Sequence, residues 1–143
     1  MNKNNLKKLN ILNKVVSNKI SDLRSKINEC LSEIDRMNLD LRTMMDDRVN
    51  EEMTASEVDN AEKMYVIGAY RSKQKNNIDE VSKSIEEKEQ LYENLSAELR
   101  DFFFEQKSYE IMIDDFKTAQ YNEMKREEMN FFDELSIQKW NRR

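Results

Sequence analysis

The sequence predicts an all-α protein in which residues 1–143 form one long antiparallel two-helix coiled-coil hairpin. Two observations predict this fold. The chain has no proline and one glycine, Gly68, where average usage gives roughly 7 prolines and roughly 10 glycines. Apolar residues also recur in steps of three and four along two long segments. Sandwiches, barrels and doubly wound sheets turn often and need glycine and proline, so the composition excludes them.

The first predicted helix spans about residues 4–50 and carries an uninterrupted heptad stripe. Steps that alternate between four and three keep one stripe facing a partner helix in a left-handed coiled coil. Leu12 lies one residue away from the position that the heptad spacing predicts. Asn13 occupies that position. We expect Cys30 to be a buried and unreactive member of the stripe. The stripe comprises Val16, Ile20, Leu23, Ile27, Cys30, Ile34, Met37, Leu41 and Met44.

The second predicted helix spans about residues 58–140 and carries a similar stripe. Its only polar members are Lys88 and Gln106, and polar residues in a coiled-coil seam lower stability but can fix the register. After Phe116 the phase of the apolar residues loosens, although they continue to Trp140. The stripe comprises Ile78, Val81, Ile85, Lys88, Tyr92, Leu95, Leu99, Phe102, Gln106, Tyr109, Ile113 and Phe116.

The bend between the helices is predicted at about residues 50–57. Thr54 and Glu57 have the spacing of a capping box, which satisfies free amides at the start of a helix. The surrounding stretch 46–62 contains seven acidic residues and one arginine. It is either a solvated loop or a binding tip, with nearby methionines that suit varied partners. A second candidate turn lies at residues 76–80.

A bend at 50–57 places Cys30 opposite Ile78 and residue 1 opposite residue 107. The charges favour this register, because residues 1–27 carry a net charge of +6 and residues 81–107 a net charge of −3. A shift of seven residues fits the stripes nearly as well. The second helix then extends 36 residues beyond the first, a distance of about 54 Å.

The aromatic residues of this overhang imply a partner or self-association, because a lone helix cannot bury them. The alternative is that the later turn is correct and that these side chains belong to the core of the hairpin. The aromatic residues in question are Tyr109, Phe116, Tyr121, Phe131, Phe132 and Trp140.

The composition argues against enzymatic activity, metal sites and cofactors. The chain has no histidine, one cysteine and one glycine, so it lacks the usual general base, zinc ligands and phosphate-binding loops. A net charge of −5 argues against nucleic-acid binding. No apolar run reaches the ~20 residues of a membrane span, so we expect a cytoplasmic protein without membrane insertion. The basic N-terminal helix could alternatively lie on an anionic membrane surface.

The C-terminal stretch from Asp133 to Arg143, with the sequence DELSIQKWNRR, resembles the end of the FliJ/YscO (SctO) proteins of flagellar and type III secretion systems. The length and the nearly proline-free two-stripe pattern are also similar to that family. The resemblance implies a stalk protein that binds a hexameric export ATPase, contacts the export gate and couples the two. It also implies export chaperones as further partners, and a location at the base of the secretion apparatus.

Carried onto this chain, the resemblance implies two sets of binding residues. The ATPase-binding set comprises Phe131, Phe132, Asp133, Glu134, Leu135, Gln138, Trp140, Arg142 and Arg143. The gate-binding set comprises Leu41, Met45, Val49, Tyr65 and Tyr70. Two alternatives remain open: a coiled-coil adaptor that handles export chaperones or another partner helix, and a structural coiled-coil dimer in which two overhangs form a four-helix bundle.

Overall fold

Two long helices pack against each other in the computed structural model, which describes residues 3–55 and 61–142. Helix α1 spans Lys3–Ala55 and helix α2 spans Ala61–Asn141, and neither described range contains a strand. The predicted fold class, a two-helix hairpin, is therefore confirmed. Glu62 in the first turn of α2 and Lys139 in its last turn both complement the helix dipole. Neither described helix has a stretch that is long and apolar enough to cross a membrane.

The helix ends differ in detail from the sequence prediction. Helix α1 continues to Ala55 instead of ending near residue 50, so Thr54 lies inside α1. Glu57, the other half of the predicted capping box, lies outside the described residues. The second candidate turn, at 76–80, is wrong because those residues lie within α2. Ile78, at the centre of that segment, is buried and holds it against the hairpin seam.

The chain divides into two compact units, which we describe separately. The terminal unit consists of Met1–Ser21 and Arg100–Arg143, and the inner unit consists of Asp22–Leu99. The buried residues of the terminal unit are Val16, Ile20, Ile113 and Phe116, and those of the inner unit are Leu23, Cys30, Ile34, Ile78 and Ile85.

Both predicted stripes form the seam of the hairpin. Every member of the two stripes is buried or half-buried, and this includes the polar residues Lys88 and Gln106. The one-place offset near the N-terminus is also observed, because Leu12 is 45% exposed while Asn13 is half-buried. The heptad spacing therefore identifies the residues that face the neighbouring helix.

The predicted register, in contrast, is wrong. In the inner unit the Lys88 ammonium lies 2.6 Å from a carboxylate oxygen of Glu33. The Cys30 thiol donates a hydrogen bond to the Lys88 carbonyl oxygen at 3.3 Å. Cys30 therefore lies beside the turn of α2 that leads from Lys88 to Tyr92 and does not face Ile78. The apolar stripes repeat every seven residues, so they could not distinguish this register from others two heptads away.

The terminal unit has the same numbering relation between its paired residues. The Gln106 side-chain amide donates to the Ser17 hydroxyl at 2.8 Å, and the Lys19 ammonium lies 5.3 Å from the centre of the Phe102 ring. In both units, residues whose numbers add to about 122 are neighbours across the seam. The two polar residues of the second stripe thus mark the register by contacting polar side chains of α1.

This register shortens the predicted overhang. Lys3, the first described residue of α1, lies opposite about residue 119 of α2, so that 23 described residues, 120–142, extend beyond it; over the same stretch the predicted register left 35 residues, 108–142. The overhang is about 35 Å long at 1.5 Å per residue. All its described residues are exposed, so the alternative in which its aromatic residues lie in the hairpin core is wrong for Tyr121, Phe131, Phe132 and Trp140.

Candidate partner-binding surfaces

The overhang of the terminal unit carries large exposed apolar side chains on a single helix. Phe131 is 59% exposed, Phe132 is 64% exposed and Trp140 is 76% exposed. The hairpin seam ends at Phe116, which is 2% exposed, and Lys3, the first described residue of α1, lies opposite about residue 119. Exposed apolar side chains in this number make the overhang a candidate binding surface.

The sequence-predicted ATPase-binding residues lie on this overhang. Phe131 and Phe132 form an edge-to-face pair with ring centroids 6.3 Å apart, which is a favourable aromatic geometry. Asp133, Glu134, Leu135 and Gln138 are exposed. The Arg142 backbone amide donates to the Gln138 carbonyl oxygen at 3.2 Å, which continues the helical hydrogen bonding past Asn141. Arg143 lies outside the described residues.

Four of the five sequence-predicted gate-binding residues are exposed in the inner unit, close to the ends of the helices that the bend connects. Met45 is 48% exposed, Val49 is 56% exposed, Tyr65 is 81% exposed and Tyr70 is 53% exposed. Leu41 differs because it is half-buried at a seam position. We refer to the four exposed residues as the bend-proximal surface.

Tyr65 belongs to a short apolar segment at the start of α2. Ala55, the last residue of α1, lies opposite about residue 67 of α2, so 61–66 extends beyond the described end of α1. Met64 and Val66 in the same segment are 59% and 66% exposed. They enlarge the apolar surface around Tyr65, and the predicted gate-binding set did not include them. Their position next to the bend was the sequence signal that could have added them.

The seam beside the bend-proximal surface is polar. Continuing the steps of three and four leads to Arg48 and Glu51 on α1 and to Arg71 and Gln74 on α2, and all four are half-buried. Glu51 Oε2, Arg71 Nε and Gln74 Oε1 are shielded from solvent and make no hydrogen bond within the described chain. Shielding a polar atom without a hydrogen bond costs about 1–3 kcal/mol. The usual arrangement is therefore reversed here, with polar groups between the helices and apolar groups outside.

One hydrogen bond connects this polar seam to the bend-proximal surface. The Tyr70 hydroxyl is hydrogen-bonded to the Glu51 carboxylate, and this bond is the main cause that raises the pKa of Tyr70, with a further contribution from the negative charge of Glu51. Tyrosine then remains protonated at neutral pH and acts as a donor.

The geometry defines a class of protein: a helical hairpin with exposed apolar side chains in each of its two units. A comparison with known protein families identifies the family to which the chain belongs. The family model described as flagellar FliJ protein matches residues 13–143, and the chain therefore belongs to the FliJ family. No curated protein and no solved structure is significantly similar to the chain. The predicted family is confirmed, and with it a role as a stalk-type component of flagellar or type III protein export.

Proposed function

We propose that this chain is the central stalk of an export apparatus, which binds the hexameric export ATPase through its overhang and the export gate through its bend-proximal surface. The proposed location is the cytoplasmic face of the apparatus base. The observation that supports this most strongly is the pair of exposed apolar surfaces, one in each unit of a family member.

The overhang has the composition of an interface. Aromatic residues are enriched at energetically dominant positions of protein interfaces, and the overhang presents Phe131, Phe132 and Trp140 with high exposure. Asp133 and Glu134 stand beside this cluster, and Arg142 lies two residues beyond Trp140. Charges of both signs around an aromatic centre match the polar rim that surrounds the core of a typical interface.

The test of ATPase binding uses the purified full chain and its cognate export ATPase. We expect the two to co-purify and the chain to stimulate ATP hydrolysis. Phe131→Ala should weaken binding by about 2 kcal/mol, or roughly 30-fold. Leu39→Ala is the matched control, because Leu39 is 61% exposed on α1 of the inner unit and should leave binding unchanged. A chain that neither binds the ATPase nor stimulates it contradicts the proposal.

The gate is tested separately with the cytoplasmic part of the cognate export gate protein. Met45 and Val49 are exposed on one face of α1, so Met45→Ala and Val49→Ala should weaken gate binding without changing the thermal stability of the chain. Phe131→Ala serves here as the control and should bind the gate normally. Equal effects of all three variants would contradict a division of the two partners between two surfaces.

The same preparations distinguish the two alternatives from the stalk. An adaptor that handles export chaperones should form a tight 1:1 complex with a chaperone or a secreted substrate and leave ATP hydrolysis unchanged. A structural dimer should show twice the chain mass in light scattering at all concentrations. The family membership and the second apolar surface favour the stalk over both.

A further inference from the structure

The two helices of the inner unit pack unfavourably next to the bend. Glu51 Oε2, Arg71 Nε and Gln74 Oε1 are shielded from solvent, and none of these atoms has a hydrogen-bond partner among the described residues. If the helices separated here, water would reach all three atoms and satisfy them. The closed arrangement therefore sacrifices the hydration of three polar atoms, which lowers the free energy needed to open this end.

The unfavourable packing ends at Met44 and Ile78, which face each other in the observed register. Ile78 is 6% exposed, and Met44 is half-buried. Away from the bend, the seam continues through apolar residues as far as Ile34 and Ile85, which are 8% and 7% exposed. Separating that part would expose apolar surface to water. An opening that starts at the bend therefore stops at Met44 and Ile78.

The residues of the bend-proximal surface do not all share one side of the closed hairpin. Tyr70 on α2 and Asp47 on α1 lie on the same flank, because both line one cavity between the helices. Met45 and Val49 are each two residues from Asp47 in the sequence, which places them about 160° around α1 from it. A partner surface that approaches one flank of the closed hairpin therefore reaches either Tyr70 or the pair on α1.

We infer that the two helices part at the bend end, as far as Met44 and Ile78, and that the export gate binds this open form. The inference rests on the proposed function and deepens it, because it makes gate binding depend on a conformational change. Parting breaks the hydrogen bond between Tyr70 and Glu51 and gives water access to the shielded atoms. The separated ends can then turn about their own axes, so that apolar residues of both flanks contact one partner.

A disulfide across the polar seam tests whether the gate needs the open form. Glu51→Cys and Arg71→Cys, in a Cys30→Ala background, place two thiols at facing seam positions, and a non-reducing gel shows whether the disulfide has formed. The affinity for the cytoplasmic part of the cognate gate protein is measured by fluorescence anisotropy. The oxidised chain should bind at least about tenfold more weakly than the same chain after reduction, because the competent form is no longer populated. The matched control is Met37→Cys with Ile85→Cys, two heptads away, where oxidation should change the affinity less than about twofold.

The opening itself is measured as a distance between two spin labels by double electron–electron resonance, again with Cys30→Ala. Glu52 and Ala69 are exposed on the two helices near the bend, and Asn38 and Lys83 are exposed at the equivalent positions two heptads away. Addition of the gate protein should lengthen the distance between labels at 52 and 69, because the gate shifts the population toward the open form. The distance between labels at 38 and 83 should stay unchanged.

The contrary outcomes are distinguishable from one another. If the gate protein does not bind the unaltered chain, the proposed gate contact fails and the inference fails with it. If the gate binds the oxidised and the reduced chain equally well, only the opening is wrong, and the partner wraps around both flanks of a closed hairpin. If the control disulfide weakens binding as much as the disulfide next to the bend, the effect does not belong to the bend end, and the inference is overturned.

Discussion

Two portions of the inner unit have the same heptad spacing but opposite chemistry. Cys30, Ile34 and Ile85 form an apolar part of the seam, and each of the three is at most 8% exposed. Toward the bend, the seam positions are taken by polar side chains, and apolar residues such as Val49 and Tyr70 face outward. Spacing therefore determines which residues face the other helix, whereas the chemistry at those positions determines how strongly the helices hold together and where apolar surface remains for a partner.

The apolar portion should provide most of the stability. Ile85→Ala removes a side chain that is 7% exposed and should lower the free energy of unfolding by about 2–4 kcal/mol, through lost burial and the cavity that remains. Leu91→Ala, at a position that is 41% exposed on the same helix, is the control and should cost less than about 1 kcal/mol. Urea denaturation followed by circular dichroism gives both values, and similar losses would contradict the distinction between seam and surface.

The polar portion should respond in the opposite direction. Gln74→Leu removes a shielded amide oxygen that has no hydrogen-bond partner, so it should raise the free energy of unfolding by about 1–2 kcal/mol. The matched control is Gln106→Leu, because Gln106 also occupies the seam but donates to Ser17. That variant loses a hydrogen bond and should gain nothing or lose about 1 kcal/mol. If both leucine variants stabilise the chain equally, the polar portion is not a weak point.

Within the apolar portion, beside Cys30 and Ile34, lies the Glu33–Lys88 pair, whose contribution should depend on pH. The hydrogen bond and charge of Lys88 hold the pKa of Glu33 below its ordinary value of 4.5. A lowered carboxyl pKa stabilises the fold above the unfolded pKa, and this contribution is lost as the pH falls through the lowered value. The pKa of Lys88 is raised above 10.5 by Glu33, so the cation persists through the whole acidic and neutral range.

Thermal denaturation of Glu33→Gln tests this dependence. The unaltered chain should melt higher than the variant near pH 7, and the difference should shrink as the pH falls below 4.5. In a Lys88→Met background, Glu33→Gln should produce no such pH-dependent difference, because its partner has gone. A difference that persists unchanged in that background assigns the effect to another group.

The smallest expected effect concerns the helix itself in the bend-proximal portion. Gly68 lies within α2 without a positive φ angle, and a Cβ atom placed there has open space around it. Gly68→Ala should therefore raise the free energy of unfolding by about 0.5–1 kcal/mol, since alanine loses less backbone entropy in a helix. A loss of stability would show that this glycine is needed for close packing, which the structure does not indicate.

The sequence was sufficient for the fold class and for the seam. The stripes from Val16 to Met44 and from Ile78 to Phe116 contain the seam residues because period and burial are directly linked in a coiled coil. The register was not predictable from the same pattern, because apolar side chains shifted by whole heptads pack almost equally well. Its determinants are specific polar contacts such as Glu33 with Lys88, whose partners only the folded chain reveals.

The candidate surfaces were partly predictable. The exposure of Phe131, Tyr65 and their neighbours follows from apolar residues that neither stripe can accommodate. Leu41 was included by proximity to the bend, but its heptad position places it in the seam. The exposure of the apolar residues after Phe116 depends on where α1 ends relative to α2, and therefore on the register.

Disulfide formation with the native Cys30 tests the register, on which the overhang and both surfaces depend. The Cys30 thiol lies against the backbone of the turn from Lys88 to Tyr92, so Tyr92→Cys should form an intramolecular disulfide with Cys30 under mild oxidation. Ile78→Cys should remain reduced under the same conditions, as read by mobility on a non-reducing gel. A disulfide from position 78 and none from position 92 would contradict this account.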